Sequence, residues 1–392
     1  MKLQILLFLF FTVSLNSQAW IKKTSLPDTV EGRHHPVTFS IGEFGYVGLG
    51  SSPIKSSDAF YQYNSITDEW KLLRRFPGGA RGFSIGDSYN SKGYLGFGLN
   101  DRGFLNDLWE YDPEKDSWTK KASCPCTPRA HPTFVALDGK IYVGLGSSDM
   151  GDLKDFWVYD IATDKWAQMP DLPAKPRHHP FQFGISPYLY SGMGHGGPEI
   201  FGDLFRYDPS NNTWKEMARI PAQGRVAGTQ FSYNGRGYVL SGQGEDHDYL
   251  ATGEFWQYEP STDKWKELPS HPGPGRWAPG SFVIGSKIYF TCGQDSIEHL
   301  KDIWSFDFRT LASTNIHSNE VSIKNISNEL LTVQSSEKIR SIQVLNAQGI
   351  FVQANVKYDP TSHSAEINTS QLNSGIFFIQ VNREKPLKFF RL

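Results

Sequence analysis

A tyrosine followed seven positions later by a tryptophan returns along most of the chain: Tyr63 and Trp70, Tyr111 and Trp118, Tyr159 and Trp166, Tyr207 and Trp214, Tyr258 and Trp265. Successive tryptophans lie 48, 48, 48 and 51 residues apart, a period that suits β-propeller blades and is too long for most helical repeats. The residues before each tyrosine alternate and are aromatic, as in Leu108-Trp109-Glu110-Tyr111, which a strand packed on both faces requires. The link to the tryptophan is polar and turn-forming. Tyrosine and tryptophan should therefore end and begin adjacent antiparallel strands.

An arginine opens every unit: Arg33, Arg81, Arg129, Arg177, Arg225 and Arg276. A second strand then ends in a glycine pair, from Gly48 and Gly50 to Gly242 and Gly244, with only the sixth unit departing at Thr291-Cys292-Gly293. Glycine there permits positive φ or close backbone approach. Each unit holds four strands, but the sixth lacks its tryptophan strand. The segment Trp20 to Pro27 resembles Trp118 to Pro125 and stands alone ahead of Arg33. If it completes the last blade, the sheet has no open edge. The expected fold is all-β, a six-bladed propeller over residues 20–309 closed by an N-terminal strand.

Residues 1–19 read as a signal peptide, with Lys2, an apolar run from Leu3 to Val13 and the small-residue site Ser17-Gln18-Ala19. The run is short for a membrane span, so no stable span is expected in the mature chain. Three cysteines, two of them flanking Pro125, give no disulfide framework. A net charge of -2 gives no reason to expect nucleic acid or a membrane surface as partner.

The arginine with histidine close behind, the glycine pair, Tyr-Asp-Pro and the spaced tryptophan resemble the Kelch family of propellers. That resemblance implies the fold more strongly than the task, because Kelch rings serve as protein-binding platforms, sugar epimerases and copper oxidases. Residues 310–319 read as a linker. Residues 320–392 read as a separate small β-sandwich with alternating strands such as Ile376 to Val381. This tail resembles the C-terminal sorting domain of type IX secretion cargo in Bacteroidetes-type bacteria, on Ile342-Gln343-Val344-Leu345-Asn346-Ala347-Gln348-Gly349, Leu372-Asn373-Ser374-Gly375-Ile376-Phe377-Phe378 and the basic end Lys388 to Arg391. At its front, Lys324 to Glu329 departs from that family's usual Pro-Asn-Pro. The resemblance implies that type IX machinery is a partner through residues 320–392, and that the protein is secreted or attached to the cell surface after passing the periplasm.

The start of each first strand and the loop after each second strand should share one face, around the channel mouth, where a concave ligand site forms. Arg33, Arg81, Arg129, Arg177, Arg225 and Arg276 are candidate ligand-binding groups there. Guanidinium groups hold carboxylate, sulfate or phosphate bidentately. Each arginine is equally suited to pair with neighbouring carbonyls or with the acid before its tyrosine strand, namely Asp58, Asp107, Asp155, Asp203, Glu254 or Asp302. His35, His131 and His179 join the candidate set, as acid-base groups or as packing residues of the strand. No recognised metal-ligand spacing is present, His195, Glu245, His247 and Asp248 included, so no metal and no cofactor are expected. The preferred function is binding of a glycan or protein ligand by an exported ring. The alternative is a mutarotase or epimerase acting on an anionic sugar such as N-acetylneuraminate, as the resemblance allows. A galactose-oxidase-like role fits neither the blade count nor the cysteine and histidine placement.

Overall fold

The computed structural model describes residues 20–310 and, further on, residues 321–327, 330–335, 338–346, 350–359, 363–373, 375–382 and 387–391. The expected signal peptide and most of the expected linker lie outside these. The chain divides into two compact units, Met1–Asp307 and Phe308–Leu392.

In the first unit the Tyr–Trp spacing has the structural meaning that the sequence suggests. Each tyrosine stands directly opposite its tryptophan in the antiparallel ladder, as Tyr111 opposite Trp118 and Tyr159 opposite Trp166. The tyrosine hydroxyl donates to a residue in the turn between them, Tyr111 to Asp116 (2.8 Å) and Tyr258 to Asp263 (2.7 Å). Those turn residues have φ of 45° and 53°, a left-handed conformation that Asp and Asn tolerate because of their short polar side chains.

Six four-stranded antiparallel sheets result. Blade three, for example, runs Thr133–Leu137, Lys140–Gly144, Phe156–Asp160 and Lys165–Met169. Blade six takes Gly280–Ile284, Lys287–Thr291 and Ile303–Asp307 from the end of the unit and Trp20–Lys23 from its start. Trp20 lies opposite Phe306 and Lys23 opposite Ile303. The first strand of every blade packs on the first strands of both neighbours, and that of blade six packs on that of blade one.

The indoles tie the blades together. Each repeat tryptophan donates its Nε1 to a carbonyl at or just past the end of the preceding blade's outer strand, as Trp166 to Ala122 (2.8 Å) and Trp214 to Pro170 (3.0 Å). The series continues across the closure, with Trp20 donating to Pro269 (2.9 Å) and Trp70 to Thr24 (2.7 Å). The core lies between blades, where Phe39, Tyr46 and Phe60 of blade one meet Leu95 and Tyr111 of blade two. Volume is matched across that gap. A Cβ at Gly93 would lie 2.3 Å from the Phe39 ring and one at Gly45 2.1 Å from Phe282, so the aromatic ring of one blade occupies space that glycine leaves in the next.

Two expectations change. The fifth unit departs from the glycine pattern as well as the sixth: its second strand Arg236–Leu240 ends on Leu240 where blades one to four have glycine. Gly242, with φ of 114°, corresponds to Gly50. Cys124 and Cys126 form a disulfide, with Cα atoms 5.1 Å apart, where no disulfide framework was expected. The two cysteines flank Pro125, and both are buried. Cys292 is buried and unbridged.

The second unit contains two four-stranded sheets. One orders Val321–Ser327, Leu330–Ser335, Ser364–Asn368 and Asn355–Tyr358; the other orders Phe351–Val352, Ile342–Asn346, Gly375–Val381 and Leu387–Arg391. Leu331, Val333, Val344, Ile367 and Ile379 form its core.

Candidate functional site

The residue after each opening arginine bridges the first residue of the loop after the second strand, as His34 to Ser51, Gly82 to Leu99, His178 to His195 and Trp277 to Gln294. The arginines and those loops therefore do share one end of the ring. The guanidinium groups, however, turn into their own blades. All six arginines are at most 5% exposed. Arg81 is bidentate to Asp107 (2.7 and 2.9 Å), Arg129 to Asp155 (2.8 and 2.8 Å) and Arg276 to Asp302 (2.6 and 2.9 Å). Arg177 pairs with Asp203 and Arg225 with Glu254. Arg33 donates to the Leu49 carbonyl (2.9 Å), while Asp58 pairs with the exposed Arg75. None of these arginines lines the axial cavity among the described residues.

The second residue after each arginine faces the axis instead. These positions hold His35, Phe83, His131, His179, Ala227 and Ala278, all with φ between 48° and 59°. The shared left-handed backbone aims every one of them at the same point. Three of the six are histidines, and the structure gathers them tightly. His35 and His179 bring their Nε2 atoms to 2.8 Å, the His131 and His179 rings have centroids 3.6 Å apart, and those of His35 and His131 4.8 Å. The imidazole donor atoms of all three lie within 4.8 Å of one another. His178, His179 and His195 form a second, overlapping group, in which His178 Nδ1 bonds Asp152 at 2.6 Å. The sequence shows no recognised metal-ligand spacing, yet the structure brings these donor atoms together. Residues 48 and 96 positions apart form no recognisable ligand spacing, and only the ring geometry makes them neighbours.

Below this rim a cavity of about 250 Å³ runs along the axis. Ser40, Ser84, Ser88, Gln182, Thr229 and Asp87 contribute polar groups to it. Trp277 stands beside the rim, its ring centroid 4.7 Å from that of His35, and Phe83 lies at 4.6 Å. Asp87 escaped the sequence reading, though a signal existed. Six residues after the arginine the other blades carry Phe39, Val135, Phe183, Phe231 and Phe282, so a carboxyl there is the exception. It accepts from the Ala136 amide (2.9 Å) and the Ser88 amide (2.7 Å), and burial raises its pKa to about 6.

Burial and mutual repulsion keep the rim imidazoles neutral. His35, His131 and His179 are held well below the usual imidazole value, by desolvation first and by one another second. His34 falls to about 4 through burial and the nearby His299, and His195 to about 4 through burial and His178. Away from the rim, His271 is 2% exposed, packed edge-on against Trp20, and also falls to about 4, chiefly by burial.

A stability prediction follows from His271. Its folded pKa lies below its unfolded value of 6.5, so as pH falls the unfolded chain takes up the proton first. The stabilisation is complete above about pH 6.5 and is lost as pH drops toward 4, with about 2 kcal/mol gone by pH 5 for one such buried group. His34 and His195 act in the same window. Asp87 acts in the opposite sense: its contribution is present below its unfolded pKa of 3.8 and is lost as pH rises through 6. Thermal unfolding should therefore occur at lower temperature at pH 5 than at pH 7, and His271→Gln should make the pH dependence shallower.

Fold and site together define a β-propeller with an axial mouth of imidazole and aromatic groups, attached to a small β-sandwich. Residues 84–227 match the family model of the KLHDC2/KLHL20/DRC7 Kelch-repeats domain, and residues 325–389 match that of the secretion system C-terminal sorting domain. The ring thus carries Kelch repeats over residues 84–227, and the tail is similar to type IX secretion sorting domains over residues 325–389. That tail marks it for export to the cell surface or beyond. No helix among the described residues is long and apolar enough to cross a membrane. A solved structure titled "Structure of YjhT" aligns with a TM-score of 0.59 at 18% identity, covering 71% of this chain and 96% of that one, a likeness of fold alone. No curated protein matches the sequence.

Proposed function

We propose that the exported propeller is a binding module whose ligand is a glycan docked at the channel mouth. The observation that carries this reading is the rim itself, in which Phe83 and Trp277 flank three neutral imidazoles above a cavity lined by hydroxyl and amide groups. Aromatic faces stack on the C–H face of a sugar, and hydroxyl, amide and imidazole groups satisfy its hydroxyls. The loops on the same end add exposed apolar side chains, Ile54, Met150 and Ile297, which enlarge the contact area and suit a glycan presented on a protein.

The test is a glycan array probed with the untagged exported chain, followed by calorimetry on any hit. Trp277→Ala and Phe83→Ala should each weaken binding by about tenfold or more, as expected for loss of a stacked aromatic worth ~1.5 kcal/mol. Silence on every glycan, with capture of a protein through Ile54, Met150 and Ile297, would replace the glycan by a protein ligand.

One observation favours the second reading, sugar mutarotation. Asp87, with a pKa of about 6, faces the cavity below neutral imidazoles, a combination able to take up and return a proton near neutrality. Against it stands the pairing of all the nearby guanidinium groups except that of Arg33, which leaves no evident clamp for a sugar carboxylate. Proton NMR of N-acetylneuraminate anomers should show no acceleration over buffer. Acceleration abolished by Asp87→Asn would establish the second reading instead.

A further inference from the structure

We propose that the axial histidines His35, His131 and His179 form a binding site for one divalent transition-metal ion of the zinc, copper and nickel class. Three features of the geometry carry this. The donors come from blades one, three and four, each from the same backbone position and each with φ near 50°, so the fold rather than a flexible loop fixes their approach. Their ligand atoms lie within 4.8 Å of one another, and one pair is already at 2.8 Å. A tetrahedral ion with bonds of about 2.0–2.1 Å places its donors roughly 3.3 Å apart, between those two distances, so small ring rotations suffice.

The second feature is unsatisfied valence. His131 Nδ1 is buried and makes no hydrogen bond. A buried polar atom without a partner is costly and rare in folded proteins, and on a ring of this cluster it points to a partner that the protein itself does not supply. His179 meets the cluster through Nε2; its Nδ1, like that of His195 in the overlapping group, is also unpartnered. The third feature is outer support. His35 Nδ1 lies 2.6 Å from His34 Nδ1, leaving His35 Nε2 to face the cluster, and outer-shell contacts of this kind orient ligating imidazoles. Three imidazoles and no thiolate select borderline ions over magnesium or calcium. Three protein ligands at a mouth also leave a coordination position open to solvent or ligand.

The overlapping group His178, His179 and His195 shares one ring with this site, so a single ion must choose. The axial set is assigned because it stands on the pore axis, with residues from three blades converging. Metal binding is read without any glycan present, so its outcome is independent of the proposed ligand.

The experiment uses the full untagged chain, stripped with chelator, dialysed and titrated with Zn²⁺ by calorimetry, with Co²⁺ absorption in the visible as a second readout. The expected result is one equivalent of Zn²⁺ and an intense four-coordinate Co²⁺ spectrum. His131→Gln and His35→Gln should each lower the affinity by roughly 100-fold, in the range by which losing supporting contacts alone already weakens metal sites, while His195→Gln retains it. Circular dichroism on each variant separates loss of metal from loss of fold. Should those two variants unfold, Cu²⁺ bound to His195→Gln should still show hyperfine coupling to three imidazole nitrogens, and coupling to fewer would overturn the assignment. Wild-type affinity in His131→Gln together with loss in His195→Gln would overturn the assignment in favour of the second group. Absence of saturable Zn²⁺ binding to the unmutated chain would overturn it altogether.

Discussion

Replacing Trp20 with alanine is expected to destabilise the propeller more than the same change at any other repeat tryptophan. Trp20 is 2% exposed, with ring centroids of Phe306, Phe255 and Phe290 at 5.2, 5.8 and 6.1 Å. Its indole also ties blade six to blade five through Pro269. Truncating a buried Trp costs about 3–5 kcal/mol from lost burial and the cavity left behind. Trp118 and Trp166 occupy corresponding places in continuous blades but are only half-buried. Urea unfolding followed by near-ultraviolet circular dichroism should show a midpoint well below wild type for Trp20→Ala and a smaller shift for Trp118→Ala. Equal shifts would mean that the closing strand contributes no more than an ordinary blade edge.

The second large effect lies in the buried ion pairs. Arg129 is fully buried and donates to Leu145, Thr127 and both oxygens of Asp155. Arg129→Ala leaves the Asp155 carboxylate with only its Trp157 indole donor among side chains, and stranding one member of a buried pair costs about 3–5 kcal/mol. Arg33 is the internal comparison. It makes no carboxylate pair among the described residues, so Arg33→Met should cost less, on the order of 1–2 kcal/mol for hydrogen bonds and packing. The double change Arg129→Met with Asp155→Leu should recover much of the loss, because a hydrophobic replacement removes both desolvation penalties. If the double variant is no more stable than Arg129→Ala, the pair is not the source of the cost.

What the sequence made legible follows from how local each interaction is. The Tyr–Trp pair is a contact within one hairpin, seven residues apart, and its register could be read directly. The pairing of Arg81, Arg129, Arg177 and Arg276 with the acid before the tyrosine strand was also accessible, because both recur at a spacing of 26 residues; Arg33 is the exception, since Asp58 pairs with Arg75. Arg225 reaches Glu254 at 29, three residues more, which matches the longer fifth interval. His35, His131 and His179 were each named as mouth candidates, but their gathering into one cluster was not legible, for the opposite reason. His35, His131 and His179 are a whole number of repeats apart, and a histidine behind an arginine reads equally well as a strand residue. That they converge depends on the left-handed turn at each position and on the number of blades between them, neither of which a motif encodes. In the tail, Leu330–Ser335 and Ser364–Asn368 escaped notice although both alternate; in Ser-Ala-Glu-Ile-Asn the two inward residues, Ala365 and Ile367, are too few to stand out.

The pairing of Trp20 with Phe306 also fixes an order of events. A nascent chain presents the Trp20 strand long before its partner Ile303–Asp307 has been made, so the ring cannot complete itself until the sixth unit has been synthesised. Five wedges can form in passing, but the last must wait with an exposed flank until nearly the whole ring has emerged.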